Sequence, residues 1–277
     1  MIKKILVGVS GTPSLQAKID AAVDLAKRNK ASISVLSILD TQALRNVGPV
    51  PIGAQYHAGK LRNTRMEKSR EKAEAAIAAF ESACVKSNIP FEAIREEGDP
   101  IDMLSQVWRY HDLCLLNIKG WFDYDVIPEP EDALLKLVRK GVRPLLCVPN
   151  VARETKRVMI AYNGSIESAK TMKHYAQFNL WPDAKHTLVC MGATKTDENA
   201  NDMLERAREY LAVHGIEAKP LHVTGKYDSP IHDFSKELGA DLTVMGGSYK
   251  RVLLFEKFGK HAKKMIRDAE CALFMSH

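Results

Sequence analysis

The chain has 277 residues, of which 45% are hydrophobic and 27% are charged, and its formal net charge at pH 7 is +6. This composition is that of an ordinary globular protein with enough apolar residues for two cores. The charge allows an anionic ligand or partner but does not indicate nucleic-acid binding. Because the sequence has no signal-peptide pattern and no apolar run near the length of a membrane span, we expect no membrane contact.

Five cysteines, an odd number without a Cys-x-x-Cys pair, indicate free thiols in a reducing compartment. Cys114, Cys147 and Cys190 each lie inside an apolar, strand-like run, so packing explains them better than metal binding. The sequence therefore predicts a cytoplasmic protein with no metal site.

The first half alternates predicted strands and helices. An apolar run predicts a first strand at residues 2–9, and Ser14 is placed to cap a helix that ends near Lys30. A loop at residues 48–53, rich in glycine and proline, separates the second strand from a long helix. The later elements are a strand at 32–39, a helix at 59–87, a strand at 91–95, a helix at 100–110, a strand at 112–118, a helix at 131–140 and a strand at 144–148.

The second half repeats the first. Residues 5–11 recur as residues 158–164, and residues 110–116 recur as residues 239–245. A repeat of this length indicates a duplicated domain. The second half follows the same order of elements, with a shorter connection after its second strand.

We therefore predict one domain at residues 1–150 and a second at residues 156–277, joined by a linker at residues 153–156. Each domain ends on a short apolar strand, at residues 144–148 and 271–275. Because proteins rarely leave apolar sheet edges unpaired, we predict that these two strands meet across a pseudo-twofold axis.

The alternation of strands and helices predicts an α/β fold with two tandem open, mostly parallel five-stranded sheets and flanking helices. Open parallel sheets bind ligands at the carboxyl ends of their strands. Two such ends recur here. The first follows strand one, at Ser10 and Asn163, and the second follows strand four, where residues 245–250 lead through a basic loop to a helix near Lys260.

The run Ala240-Asp241-Leu242-Thr243-Val244-Met245-Gly246, followed by a loop, a helix and a short terminal strand, resembles the universal stress protein family. The resemblance covers essentially the whole chain, twice. It implies an adenine nucleotide alpha-hydrolase-like fold and a tandem member in which two domains pair within one chain as a pseudo-dimer. It leaves open whether the chain forms a further homodimer.

The resemblance also implies a nucleotide site, because the family's nucleotide-binding branch carries a loop of the form Gly-x2-Gly-x9-Gly-Ser/Thr that wraps phosphates at a helix N-terminus. The second half places Gly246, Tyr249, Gly259 and Lys260 at these positions. Tyr249 replaces a glycine and Lys260 replaces a hydroxyl residue. Either the site is degenerate, or Lys260 supplies a charge in place of a hydrogen bond.

The first half keeps the spacing of this loop but not its residues, since Asn117, Gly120, Pro130 and Glu131 stand at the same positions. Pro130 has no N–H to donate to a phosphate. Five acidic residues in the same segment would repel a triphosphate. They are Asp123, Asp125, Glu129, Glu131 and Asp132. In contrast, basic residues surround the second-half loop, opposed only by Glu256, and they are Lys250, Arg251, Lys257, Lys260 and Lys263.

Two further residues of the second half align with nucleotide contacts of the family. Asn163 stands where relatives place an aspartate that contacts the nucleoside, but Asn-Gly-Ser is also a common strand-to-helix turn, and this is the favoured interpretation. Cys190 falls where relatives make an apolar backbone contact to adenine. A core thiol is the better interpretation of Cys190.

The sequence therefore predicts a stress-response protein with a regulatory or scaffolding role, whose second half binds or formerly bound ATP or another adenine nucleotide, and which requires no cofactor. One alternative is a slow ATP-hydrolysing or phosphate-transferring enzyme built on Gly246, Gly259 and Lys260. That enzyme would need a metal-binding carboxylate, and Asp241 stands at the strand entrance instead. The other alternative is a ligand-free interaction module, favoured by Tyr249 and by the acidic loop of the first half.

Overall fold

The computed structural model describes residues 1–9, 15–45, 55–118, 130–151, 153–192, 199–224, 230–247, 249–252, 255–258 and 260–277. The first half alternates strands and helices as predicted. Its elements are β1 (Lys4–Val9), α1 (Leu15–Asn29), β2 (Ser32–Leu39), α2 (Thr41–Arg45), α3 (Gln55–Lys86), β3 (Phe91–Glu97), α4 (Pro100–Trp108), β4 (Leu113–Asn117), α5 (Pro130–Lys140) and β5 (Leu145–Val148).

The second half follows the same order of main elements, and a two-stranded hairpin precedes its last helix. Its elements are β6 (Arg157–Ala161), α6 (Ile166–Phe178), β7 (Lys185–Met191), α7 (Ala200–Val213), β8 (Ala218–Val223), α8 (Pro230–Glu237), β9 (Leu242–Gly246), β10 (Tyr249–Val252), β11 (Phe255–Phe258), α9 (Lys260–Asp268) and β12 (Ala272–Ser276).

The strands of both halves form one ten-stranded sheet in the order β3-β2-β1-β4-β5-β12-β9-β6-β7-β8. Within each half the strands are parallel, and the order in the second half mirrors that in the first. The two halves meet where β5 pairs antiparallel with β12, with Leu146 opposite Phe274. The predicted pairing of the two terminal strands is therefore confirmed, and it joins two five-stranded sheets into one.

Helices cover both faces of this sheet, which explains why its strands are apolar on both sides. Helices α1, α3, α6 and α7 pack on one face, over a core that includes Leu146 and Phe274 at the junction. Helices α4, α5 and α9 pack on the other face, with Trp108, Leu137 and Met265 in their core. Both faces are continuous across the junction, because each of these cores takes residues from both halves.

One aspartate of the sequence repeat has the same structural role in each half. Asp112, just before β4, accepts hydrogen bonds through Oδ2 from the backbone N–H groups of Lys3 and Lys4, at 2.7 and 3.1 Å. Asp241, just before β9, accepts from the N–H groups of Lys156 and Arg157, at 3.0 and 2.9 Å. The repeated aspartate thus ties the start of strand one to strand four, away from the ligand end of the sheet.

Three elements of the structure, a helix and two strands, are absent from the sequence prediction. Helix α2 follows β2 directly, and β10 pairs with β11 as a two-stranded antiparallel hairpin where we predicted a loop. Ser10, Ser14 and the predicted loop at 48–53 lie outside the described residues, as does the segment 119–129.

The pairing of β5 with β12 predicts the behaviour of the isolated first half. All four residues of β5 are buried in the full chain, and residues 1–150 alone would expose this edge to water. We expect that fragment to self-associate or aggregate, because an unpaired apolar edge pairs with a substitute strand. Sedimentation velocity of residues 1–150 beside the full chain measures this, and a stable monomeric fragment would contradict it.

Candidate ligand site at the carboxyl ends of the second-half strands

The carboxyl end of β6 leads into α6 through a tight turn built on Asn163. Its side-chain Oδ1 accepts a hydrogen bond from the backbone N–H of Ser165 at 3.1 Å, and Gly164 has a φ of 79°. The Ser165 hydroxyl then caps α6 by accepting from the N–H of Ser168 at 3.2 Å. The acceptor oxygen of Asn163 is therefore engaged in the local turn, as the favoured interpretation of the sequence expected, and no hydrogen bond to its amide nitrogen occurs among the described residues.

Gly246, at the end of β9, allows α6 to pack directly on the strand. A Cβ atom at this position would lie 2.8 Å from the carbonyl carbon of Glu167 and 2.9 Å from the backbone nitrogen of Ser168. Helix α6 is further tied to this edge by Thr171, whose Oγ1 donates to the carbonyl oxygen of Ser276 at 3.0 Å. The absence of a side chain at Gly246 is thus required by the protein's own packing, whether or not a ligand also approaches there.

Cys190, in β7, is fully buried in the core that α6 and α7 cover. Burial raises the pKa of its thiol above the ordinary value. Its backbone is held in the sheet, where it pairs with His222 of β8. The side chain is therefore a packing group, which agrees with the core interpretation of the sequence.

The remaining predicted site residues lie around the hairpin. Tyr249 is the first residue of β10 and pairs with Phe258 of β11. Gly259 lies outside the described residues, and Lys260 is the first residue of α9. Gly246 thus precedes the hairpin closely in sequence and contacts α6 in space. The last helix begins at Lys260, the residue that the loop spacing shared by the two halves predicts.

The first turns of α5 and α9, which occupy equivalent places in the two halves, carry different charges. Helix α5 begins with Pro130, Glu131 and Asp132, whereas α9 has no acidic residue in its first turn. The two helices pack against each other across the junction. An acidic first turn already satisfies the partial positive charge of a helix N-terminus, so only α9 keeps that charge for a ligand.

This contact between α5 and α9 includes an ion pair of one of the basic residues that the sequence placed around the second-half loop. The ammonium of Lys263 contacts the carboxylate of Asp132, with Nζ at 2.5 Å from Oδ1 and 2.7 Å from Oδ2. Glu131 faces Arg267 at 3.9 Å. Glu131 and Asp132 therefore form contacts between the two halves. The other acidic residues of the predicted first-half loop, Asp123, Asp125 and Glu129, lie outside the described residues, as does Gly120.

The corresponding end of the first half contains a buried lysine that the sequence analysis missed. Lys18 of α1 is 0% exposed, and its Nζ donates to the carbonyl oxygen of Gly8, near the end of β1, at 3.2 Å. Asn117, at the end of β4, is also buried and donates through Nδ2 to the carbonyl oxygen of Val148 at 3.1 Å. The burial of Lys18 could have been predicted from the sequence, because Lys18 falls within the apolar face of α1.

A groove of about 990 Å³ opens elsewhere, between α1, the linker and the amino ends of the second-half strands. Leu146 and Val148 line its apolar part, and Asp24, Arg28 and Lys185 lie among the charged residues around it. None of the predicted site residues lines this groove, so it does not coincide with the candidate site.

Within the described ranges, no group of three or more histidine, cysteine, aspartate or glutamate side chains is arranged to hold a metal ion. In the same part of the chain, none of the helices has the length and apolarity needed to cross a membrane.

The fold belongs to the class of α/β proteins with an open, mostly parallel sheet covered by helices on both faces. Residues 1–118 match the Universal stress protein family. A universal stress protein from Synechocystis sp. (strain ATCC 27184 / PCC 6803 / Kazusa) is 22% identical over 267 residues, covering 88% of this chain and 89% of the relative.

Solved structures share the fold over the full length. A universal stress protein from Archaeoglobus fulgidus DSM 4304 superposes with a TM-score of 0.68 at 15% identity, covering 98% of this chain and 97% of that one. A protein of unknown function from Pseudomonas aeruginosa PAO1 gives 0.62 at 16% identity, covering 99% and 92%. Residues 1–118 are thus similar to the universal stress protein family, and the second half repeats the fold of the first.

Proposed function

We propose that this protein has a regulatory or scaffolding role in the stress response and that its second half binds the phosphates of an adenine nucleotide at the N-terminus of α9. One observation carries the proposal. Helix α9 starts at Lys260 without an acidic first turn, while α5, its equivalent, starts with Pro130 and two acids.

The physical basis is the chemistry of helix N-termini. Their free N–H groups and partial positive charge favour a phosphate, and a lysine at the first position adds a full charge. In the first half, Pro130 removes one N–H donor and Glu131 and Asp132 place negative charge at the same point. Nucleotide binding by the first half is therefore not part of the proposal.

Charge reversal at matched positions tests this assignment. We expect Lys260→Glu to abolish ATP binding, because it places a carboxylate beside the phosphates, and we expect Glu131→Lys to create no comparable first-half site, because Pro130 still removes a donor. Calorimetric titration with ATP measures both variants. Equal binding by the wild type and by Lys260→Glu would rule out the proposed phosphate site.

Tyr249 provides a second prediction. If its ring fills the phosphate space, Tyr249→Gly should raise ATP affinity by about 1–3 kcal/mol, the range typical of a misfitted group that is removed. We expect this increase, since Tyr249 and Lys260 have both departed from the family pattern. An unchanged affinity in the same titration would show that the ring turns away from the site.

A ligand-free interaction module is the second candidate function. It is favoured because the packing of α6 requires Gly246 and the local turn engages Asn163, so that neither residue needs a ligand to explain it. The enzyme alternative has less support. The carboxylate considered for it, Asp241, bonds the backbone N–H groups of Lys156 and Arg157 at the amino end of the strands. Absence of ATP binding by the wild type and by Tyr249→Gly would favour the module.

A further inference from the structure

The groove between α1, the linker and the amino ends of the second-half strands has the size and the location of a ligand pocket. Its volume of about 990 Å³ is at the upper end of the range for small organic ligands, and such pockets are common at boundaries between domains. Leu25, Leu146, Val148 and Trp181 are among the apolar side chains that line it. The groove therefore offers space and an apolar surface that the proposed nucleotide site does not use.

Small side chains on α1 keep the groove open. Ala17, Ala21 and Leu25 line it, and because they recur every four residues they lie on one side of the helix. At 1.5 Å per residue, this row is about 12 Å long. A wall of this length, with two alanines in succession, fits an extended apolar chain better than a compact group.

The second half fills the equivalent space with larger side chains. By the spacing of the sequence repeat, His174 stands in α6 where Ala21 stands in α1, and Phe178 stands where Leu25 stands. Nδ1 of His174 lies 2.8 Å from Oγ of Ser276, and the ring of Phe178 packs edge-on against a buried phenylalanine of β12, with centroids 6.4 Å apart. The fold shared by the two halves therefore does not require an open groove, and only the first half provides one.

Most of the negative charge around the groove is already engaged by the protein. Five acidic side chains of the described residues line it, and Nε of Arg28 donates to both carboxylate oxygens of one of them, Asp24, at 2.9 Å. Four of the five accept hydrogen bonds or form ion pairs, and they are Asp20, Asp24, Glu154 and Asp241. Only Asp183 has no ion pair among the described residues.

Positive charge, in contrast, remains available at one edge of the groove. The side chains of Arg153 and Lys185 are exposed and form no ion pair or hydrogen bond with the described residues, and both line the groove. They belong to the same edge, because the backbone N–H of Lys185 donates to the carbonyl oxygen of Lys156, three residues after Arg153, at 2.8 Å. The guanidinium of Arg157, on this edge as well, lies 3.9 Å from the carboxylate of Asp241, beyond hydrogen-bond reach. This edge therefore complements an anionic group.

We infer that the groove binds an organic carboxylate with an apolar chain. The chain lies along the row of Ala17, Ala21 and Leu25, and the carboxylate lies at the edge that carries Arg153 and Lys185. Apolar area buried in the groove supplies the affinity, and the charged edge selects the sign of the head group. The site is distinct from the proposed nucleotide site in the second half and does not depend on it.

The fluorescence of Trp181 tests the site in the full chain, with decanoate as the probe. We expect a saturable change that Trp181→Phe removes, because Trp181 lines the groove whereas Trp108 is buried in the core on the other face of the sheet. Acetate lacks the chain and decyltrimethylammonium reverses the charge, so neither should give a saturable change at the same concentrations. Absence of a saturable change with decanoate, its persistence in Trp181→Phe, or an equal response to either control compound would overturn the inference.

A substitution that fills the groove gives the first matched test. Ala21→Phe places a large side chain in the row, as the second half does with His174, and we expect it to weaken decanoate binding at least tenfold, since the chain would overlap the ring. Lys27→Phe adds the same ring at an exposed position of α1 outside the groove and should bind decanoate as the wild type does. Equal binding by Ala21→Phe and Lys27→Phe would contradict the site.

Removal of the charged edge gives the second matched test. We expect the double variant Arg153→Gln with Lys185→Gln to bind decanoate about tenfold more weakly, and Lys27→Gln with Lys86→Gln, which loses the same net charge outside the groove, to bind it unchanged. Equal losses in the two double variants would show an effect of net charge alone and would contradict the assigned edge. Lys260→Glu should leave decanoate binding unchanged, which separates failure of this site from failure of the nucleotide site.

Discussion

Phe274→Ala is expected to lower the free energy of unfolding by about 3–5 kcal/mol, the usual cost of deleting a fully buried phenylalanine. Phe274 is 0% exposed, pairs with Leu146 across the junction of the two halves, and packs edge-on against Tyr175 and Phe178 with ring centroids 5.5 and 6.4 Å apart. Because the same side chain belongs to the strand that joins the halves, the cavity weakens the junction as well as one core.

Urea unfolding of the full chain measures this effect, with Phe91→Ala as the control. Phe91 lies in the edge strand β3 and is only partly buried, so the control removes the same group far from the junction at a smaller cost. A loss at Phe274 no larger than the loss at Phe91 would show that the pairing of β5 and β12 does not hold the halves together.

Lys18→Met is expected to stabilise the protein by about 3 kcal/mol near neutral pH in buffer without phosphate. The substitution keeps the apolar stem of the side chain and removes a buried charge whose pKa burial lowers from 10.5 to about 8. Burial is the cause of this shift, and no charged neighbour among the described residues contributes to it. The exposed Lys27→Met on the same helix should change stability little.

The stability that Lys18→Met gains over the wild type should decrease as the pH rises. The folded state holds the Lys18 proton less tightly than the unfolded state, so the cost of the charge is fully present below about pH 8 and disappears as the pH rises toward 10.5. The advantage of Lys18→Met should therefore shrink over that interval when both proteins are unfolded in urea. A destabilised variant, or a difference that is constant with pH, would contradict the buried charge.

The sequence predicted the main sheet because its signals are local and repeated. Both halves contain the apolar strand runs, the aspartate before strand four and the same loop spacing. A prediction made from one half is therefore supported by the matching residues of the other half. The pairing of β5 with β12 followed from the apolar character of two sheet edges, and the start of α9 at Lys260 followed from the inherited spacing.

Other parts of the structure could not be predicted from the sequence, because they depend on contacts between residues that are distant in the chain. The hairpin of β10 and β11 has Leu253 and Leu254 between its strands in sequence, without the glycine, asparagine or aspartate that marks a short hairpin turn. Charge counting placed Lys263 beside the phosphate loop, whereas its partner Asp132 comes from the other half of the chain. Lys18 was overlooked because lysine side chains are usually exposed, although its position falls within the apolar face of α1.

We propose that the two halves have diverged, so that only the second binds adenine nucleotide. Titration of the unmodified full-length protein with ATP, in buffer without phosphate, tests it most directly. We expect one ATP per chain, bound in the second half. Two ATP per chain would contradict the divergence of the halves, and no binding at any accessible ATP concentration would contradict the nucleotide site itself.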